Sequence, residues 1–304
     1  MTDWPSYNRS LVRRGEILFP HGFLDGWDMV LAKMNENKKG RKFIYPESFI
    51  LVIGYMRIYF HLPYRQTEGI IKATGKSLPN HPSCGHICKR INSLKADFNS
   101  GIKADDDDDD DLMIAIDSTG IRVTNRGQWM SEKWGVKNKK KKGYLKIHVA
   151  VNTKTGEILA LEVTDEKVHD GTMMKKLVKH VLDGAHLHQH NKRVKSVLAD
   201  GAYDSNDNFG FLNDERIKPV IKVKRNSVVS TKNGKTRNGQ VRQQTKDFLR
   251  WKRKRKYGHR WMAETAFSSI KRMFGEHVSS TRFQNMVKEM MMKVSLYNVF
   301  RRMT

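Results

Sequence analysis

Fifteen residues near the C-terminal end, Tyr257 to Lys271 (YGHRWMAETAFSSIK), hold four chemically able side chains at a fixed spacing. The stretch is built of helix formers, without proline and with its one glycine close to the start. In a helix turning about 100° per residue, Tyr257, Arg260 and Lys271 fall within an arc of roughly 60° that includes Glu264. Met262, Ala266, Ile270 and Met273 fall on the opposite side as an apolar stripe. A carboxylate flanked by a phenol, a guanidinium and an ammonium can hold a cation and an anion at one place. Taken alone, a solvated face with one ion pair explains it more simply. The chemical reading therefore needs further acids.

Two aspartates supply them. Leu112 to Ile116 is a short continuous apolar run, the mark of a buried strand, and it ends in Asp117-Ser118-Thr119-Gly120. Ser196 to Ala199 is another, ending in Asp200-Gly201. Strand ends in an open α/β sheet are where sites collect. Three carboxylates converging without partners repel and raise one another's pKa values. Divalent cations remove that conflict, and carboxylate plus phosphate oxygen is the environment Mg²⁺ prefers. Two such ions about 3.5–4 Å apart activate an attacking hydroxyl and stabilise the leaving oxygen of an in-line phosphoryl displacement. Each aspartate alone could simply cap the turn after it. That account needs three coincidences where the metal site needs one cause.

The elements that would position these residues read as an α/β pattern. Tyr144–Asn152 and Glu157–Thr164 both alternate around turn residues 153–156, which predicts a hairpin. A helix is expected from Asp170 as N-cap, with Met174, Leu177, Val178, Val181 and Leu182 on its apolar face. A short helix from about Ser205 and a strand over Pro219–Val223 follow. Residues 224–256 read as an exposed basic loop: from Lys218 to Arg260 there are sixteen Lys or Arg and a single acid, Asp247. A last helix carries Val287, Met290, Met291, Val294 and Tyr297 on one face. His148 reads as a packed strand histidine rather than a phosphate donor, and Asp170 and Asp204 as helix N-caps rather than further ligands.

The chain before this reads as mainly helical. Pro46 opens an apolar helix that Leu62-Pro63 breaks; a second spans Tyr64 to Ala73, and a third starts at Ser83 as N-cap. These could form a helix-turn-helix DNA reader or a helical packing and dimerisation domain, with equal weight. His81, Cys84, His86 and Cys88 are too crowded on one helix to wrap a zinc ion. Asp105 to Asp111 is an unbroken acidic run, which stays solvated and marks a boundary. It could also shield basic surface. The expected division is a helical region 1–104 for DNA binding or dimerisation, an acidic linker 105–111 and an α/β catalytic domain 112–304.

Charge narrows the partners. Against 32 Asp and Glu stand 57 Lys and Arg, a net +25 with pI near 10.0, which favours a polyanion. No apolar run approaches the roughly 20 residues of a spanning helix, and residues 1–15 lack a signal-peptide apolar segment. The two cysteines make no disulfide framework. An intracellular nucleic-acid-binding protein is expected.

Tyr257, Arg260, Glu264 and Lys271 match the Y-(2)-R-(3)-E-(6)-K signature of DDE transposases from prokaryotic insertion sequences. The blocks IDSTG (116–120), KIHVAVN (146–152), LADGAYDS (198–205) and LYNVFR (296–301) resemble the fifth insertion-sequence family, as do WPSYNRSLVRRGEI (4–17) and LPYRQTEGI (62–70). The resemblance covers nearly the whole chain. It implies an RNase H-like catalytic domain, a mixed sheet flanked by helices, beside the helical N-terminal region. It makes Asp117, Asp200 and Glu264 the catalytic, metal-binding triad for two Mg²⁺ ions, with Mn²⁺ as a substitute. Tyr257, Arg260 and Lys271 become contacts to transposon-end DNA. It implies cleavage at element ends and joining to target DNA, by a cytoplasmic, nucleoid-associated homodimer on paired ends. The acidic run and a Lys-rich insert, Lys137 to Lys142, depart from the family pattern.

Rival functions share part of this pattern. An RNase H-like nuclease or resolvase would need the same acids and basic surface but would cut without joining. A catalytically inactive DNA-binding derivative would have no physical reason to keep Glu264 among those cations. A basic RNA-associated protein accounts for the charge but not the carboxylates.

Overall fold

A computed structural model describes residues 3–18, 26–73, 81–94, 112–124, 144–184, 193–232 and 234–303. The acidic run 105–111 and the Lys137–Lys142 insert lie outside them. The chain forms two compact units, one of Met1–Ala96 with Arg282–Thr304, the other Asp97–Thr281. The closing helix therefore groups with the N-terminal helices and not with the expected domain 112–304.

The helical unit contains α1 (Trp4–Leu18), α2 (Trp27–Asn35), α3 (Glu47–Tyr59), α4 (Tyr64–Ala73) and α5 (Cys84–Ser93). Pro46 stands just before α3, and the Ser83 side chain accepts from His86 N to cap α5. The helix Phe283–Arg301 packs on α3 and α5 of the same unit. Its expected single apolar face is instead burial nearly all round, including Glu289, Lys293, Ser295 and Asn298. The buried polar groups find partners: Ser295 Oγ lies 2.7 Å from the Tyr55 hydroxyl. Cys84 N donates to Glu68 Oε2, and His86 packs edge-on against Tyr45.

The second unit is built on a sheet of β1 (Leu112–Val123), β2 (Tyr144–Asn152), β3 (Ile158–Asp165), β4 (Val194–Ala199) and β5 (Lys218–Ile221) in the order β3-β2-β1-β4-β5. The first three strands are antiparallel, while β4 and β5 run parallel to β1. The expected hairpin is β2–β3; its turn closes through Gly156 at φ +76, a conformation glycine adopts without cost. A two-residue strand, β6 (His277–Val278), is parallel to the end of β1. Helices α6 (Asp170–Leu182) and α7 (Asn206–Asp214) fall in the β3–β4 and β4–β5 connections. Met174, Leu177, Val178 and Val181 of α6 bury against Ile114, Ile116, Val197 and Ala199, worth roughly 1.5–3 kcal/mol each. This is the expected α/β architecture, a mixed sheet flanked by helices.

The expected loop 224–256 is largely helical, as α8 (Lys235–Lys246) and α9 (Phe248–Lys254). Its lack of an apolar period hid the helices, because their anchors are amides: Gln240 and Gln244 are buried where leucines would ordinarily sit. The expected helix Tyr257–Lys271 is two elements, a 3-10 turn over Tyr257–Arg260 followed by α10 (Trp261–Phe274). Lys256, at φ +52, turns the chain before Tyr257. The buried stripe of α10 is Ala263, Ala266, Phe267, Ile270 and Phe274, with Met262 and Met273 half-buried beside it.

Candidate active site

The candidate site lies where β1 outruns its neighbour. β4 pairs with β1 only as far as Ala115 opposite Leu198 and ends one residue later, at Ala199. Asp117 and Asp200 stand two residues beyond that pair on their two chains. Asp117 is therefore mid-strand, not at a strand end as expected; β2 continues to pair with it through Val149. β6 rejoins β1 at Arg122, on the edge that β2 does not occupy. Among the described residues no strand lies beside that edge of β1 between Ala115 and Arg122, and the two aspartates stand at the start of the opening.

Strand alternation sends successive residues to opposite faces. Asp117 and Thr119 face α10 and the 3-10 turn before it: Arg260 Nη1 donates to Asp117 Oδ2 at 2.9 Å, and Lys271 Nζ to Thr119 Oγ1 at 2.9 Å. Arg260 Nη2 also donates to Glu264 Oε1. One guanidinium thus joins two of the three acids. Asp200 follows β4 directly and its carboxylate accepts from Ala202 N at 2.9 Å, capping a 3-10 turn. Burial raises the Asp117 pKa above the ordinary carboxylate value, and the charges of Asp200 and Glu264 add to that, while Ser118 N and Arg260 oppose it. Of the three acids, Asp117 thus feels the charges of the other two. Among the described residues no group of three or more His, Cys, Asp or Glu is spaced to hold a metal ion. In this conformation the cation between Asp117 and Glu264 is Arg260.

Tyr257 is buried, 7 % exposed, and not on an open face with Arg260. Its ring lies 5.1 Å from that of Trp251, and burial pushes its pKa up to about 12, with Arg260 pulling the other way. Glu264, by contrast, keeps 57 % of its side chain exposed.

On the far face of β1, Ser118 Oγ donates to Asp170 Oδ1 at 2.6 Å, and Lys146 Nζ lies 2.7 Å from the same oxygen. Asp170 is thus a side-chain hub rather than the N-cap expected; His169 caps α6 by accepting from Gly171 N. His148 is fully buried with Nε2 2.9 Å from Thr164 Oγ1, the packed strand histidine expected. Asp204 also is not the expected N-cap, since Ser205 caps α7. Its buried carboxylate takes Arg237 Nε at 2.7 Å and Nη2 at 3.0 Å, with Lys224 N and Ser227 Oγ at 2.9 Å each. Burial would raise its pKa; the Arg237 pair and the other donors outweigh that and hold it below the usual range.

Thr119, Gln240 and Trp251 were missed from sequence. Thr119 carried a usable signal: two residues past Asp117 on a strand, it must share its face.

A family sequence model described as Transposase DDE domain matches residues 108–299, and a second of the same description matches residues 12–126. The first spans more than half of the chain. The chain belongs to the DDE transposase family. The transposase is also similar to a solved structure described as the cryo-EM structure of piggyBac transposase synaptic complex with hairpin DNA. The identity there is 11 %, the TM-score 0.43, and the match covers 95 % of this transposase and 74 % of that chain. As a DDE transposase the protein acts on DNA, as a polynucleotidyl transferase of a class that generally uses divalent metal ions. No described helix is long and apolar enough to cross a membrane.

Proposed function

We propose that this transposase belongs to the fifth insertion-sequence family, cuts the ends of its element and joins them to target DNA, with Asp117, Asp200 and Glu264 as its catalytic acids. The observation that carries this is Arg260, a single cation shared by Asp117 and Glu264 at the opening beside Asp200. As they stand the acids are not spaced for a metal ion; the same oxygens would serve Mg²⁺, with Mn²⁺ as substitute, once Arg260 withdraws and the three close on it. Two bound ions would supply the Lewis acid and the activated hydroxyl of an in-line displacement.

The chain's own residues bind and orient. Arg260, when it leaves the acids, has a phosphate oxygen as its next anion, which its planar fork suits. Lys271, two strand positions along at Thr119, extends the cationic rim. The exposed side chains of α8 and α9 continue it as a track for the duplex backbone. Tyr257 backs Arg260 from the core. The α4 and α5 region is the candidate for end recognition, and a homodimer on paired ends is the assembly this chemistry calls for.

Asp117→Asn, Asp200→Asn and Glu264→Gln test it. Each is expected to reduce cleavage by on the order of a thousandfold or more, while Kd for an element end stays within about threefold, since the phosphate contacts lie elsewhere. Near-normal cleavage by any one would remove that residue from the triad.

A further inference from the structure

The α8–α9 hairpin carries a basic outer surface, yet what holds it in place is neutral. Gln240 Nε2 donates to Pro219 O at 3.2 Å and Gln244 Nε2 to Ile221 O at 2.8 Å, while Val223 N donates to Gln244 Oε1 at 3.1 Å. Two amides thus lock α8 to the chain of β5 and the residues after it. Beneath the hairpin lies Trp251 of α9, 3 % exposed. Its Nε1 donates to Gln240 Oε1 at 2.7 Å, one face stacks on Phe248, and its ring meets Tyr257. Tyr257 opens the 3-10 turn that ends at Arg260, and Arg260 binds Asp117. A continuous row of packed groups runs from β5 through Gln240, Trp251, Tyr257 and Arg260 to Asp117.

The outer side of the hairpin is the opposite in character. Arg242, Lys246, Arg250, Lys252, Arg253 and Lys254 are exposed. Asp247, the one acid in the segment, is spent as the N-cap of α9, accepting from Arg250 N at 2.8 Å. These cations are left to an external polyanion.

We propose that Trp251 is a positioning residue that ties the DNA-contacting hairpin to Arg260. The phosphate backbone held on the hairpin and the phosphate met by Arg260 are thereby kept at a fixed separation. This rests on the reading above that Arg260 meets the phosphate at the acids. The indole suits the task because it combines a donor that fixes Gln240 with a flat apolar face for Tyr257. A flexible loop with the same charges would bind DNA as tightly but would not register it over the acids, and misplacement by about 1 Å costs up to about a hundredfold in rate.

Trp251→Phe breaks the bond to Gln240, and Tyr257→Leu breaks the next link while leaving that bond intact. Each would be melted to verify folding, then compared on pre-bound element ends in single-turnover cleavage with Mg²⁺. The expected result is end affinity within about threefold with an unchanged salt slope, and cleavage slower by on the order of tenfold. In an Arg260→Lys background, where the fork is already lost, Trp251→Phe should add less than about twofold. A residue that only supports the fold would slow both backgrounds by the same factor. That additive result overturns the proposal, as does wild-type cleavage by both single variants. Wild-type cleavage by Arg260→Lys alone would instead remove the role assigned to Arg260, and it is seen without touching Trp251.

Discussion

Arg260 donates to Asp117, 143 residues before it, at 2.9 Å through one arm of its guanidinium and to Glu264 through the other, joining an acid of a strand to an acid of a helix. Remove it, and Asp117, already raised in pKa by burial and by the two neighbouring acids, loses the cation opposing them. Arg260→Ala is expected to cost about 1–3 kcal/mol in a urea melt in EDTA. Mg²⁺ should then stabilise the variant more than the parent protein. A variant as stable as the parent and no more responsive to Mg²⁺ would show that these acids do not form a cation site.

Asp204 stands four residues past Asp200 and shares its residue type, yet its carboxylate is enclosed by Arg237, Ser227 and Lys224 N. Breaking a buried ion pair strands the remaining charge. Arg237→Ala should therefore destabilise the protein by about 3–5 kcal/mol, read as a fall in the urea midpoint. Protein that remains folded should cleave ends at the parent rate. Loss of cleavage with full stability would move Asp204 into the site.

The β2–β3 hairpin and α6 were legible because period-2 and period-3.6 patterns survive in Leu145–Val151 and in Met174–Val181, where one face is apolar. The α8–α9 pair was not, because Gln240 and Gln244 dock through hydrogen bonds that hydropathy cannot see. The polar Asp117-Ser118-Thr119-Gly120 reads as a turn by composition, yet it lies inside β1. Those residues stay in the strand because β2 pairs with them throughout and side chains from both faces satisfy them. The arc drawn through Tyr257 failed for a backbone reason, since the 3-10 turn before Trp261 breaks the 100° count. Asp170 and Asp204 were given caps by proximity to helix starts, while His169 and Ser205 occupy the cap positions.

His148 supplies a pH prediction. Burial holds its pKa down to about 4, with Asp170 pulling the other way. A depressed folded-state pKa means that its contribution is complete above the unfolded value of 6.5. It is lost as pH falls from there toward about 4, where the folded imidazole also protonates. Stability should fall by about 2–3 kcal/mol across that window through this residue. His148→Gln should flatten that part of the pH–stability curve; an unchanged slope would mean that His148 is already charged or solvated in the native state.

The most direct measurement is strand transfer. The protein would be incubated with a labelled element end and a supercoiled plasmid, once with Mg²⁺ and once with EDTA. A joined product that requires Mg²⁺, and is absent with Asp117→Asn, Asp200→Asn and Glu264→Gln, is the predicted result. Nicking without joining, or joining that persists in any of the three variants, would contradict it.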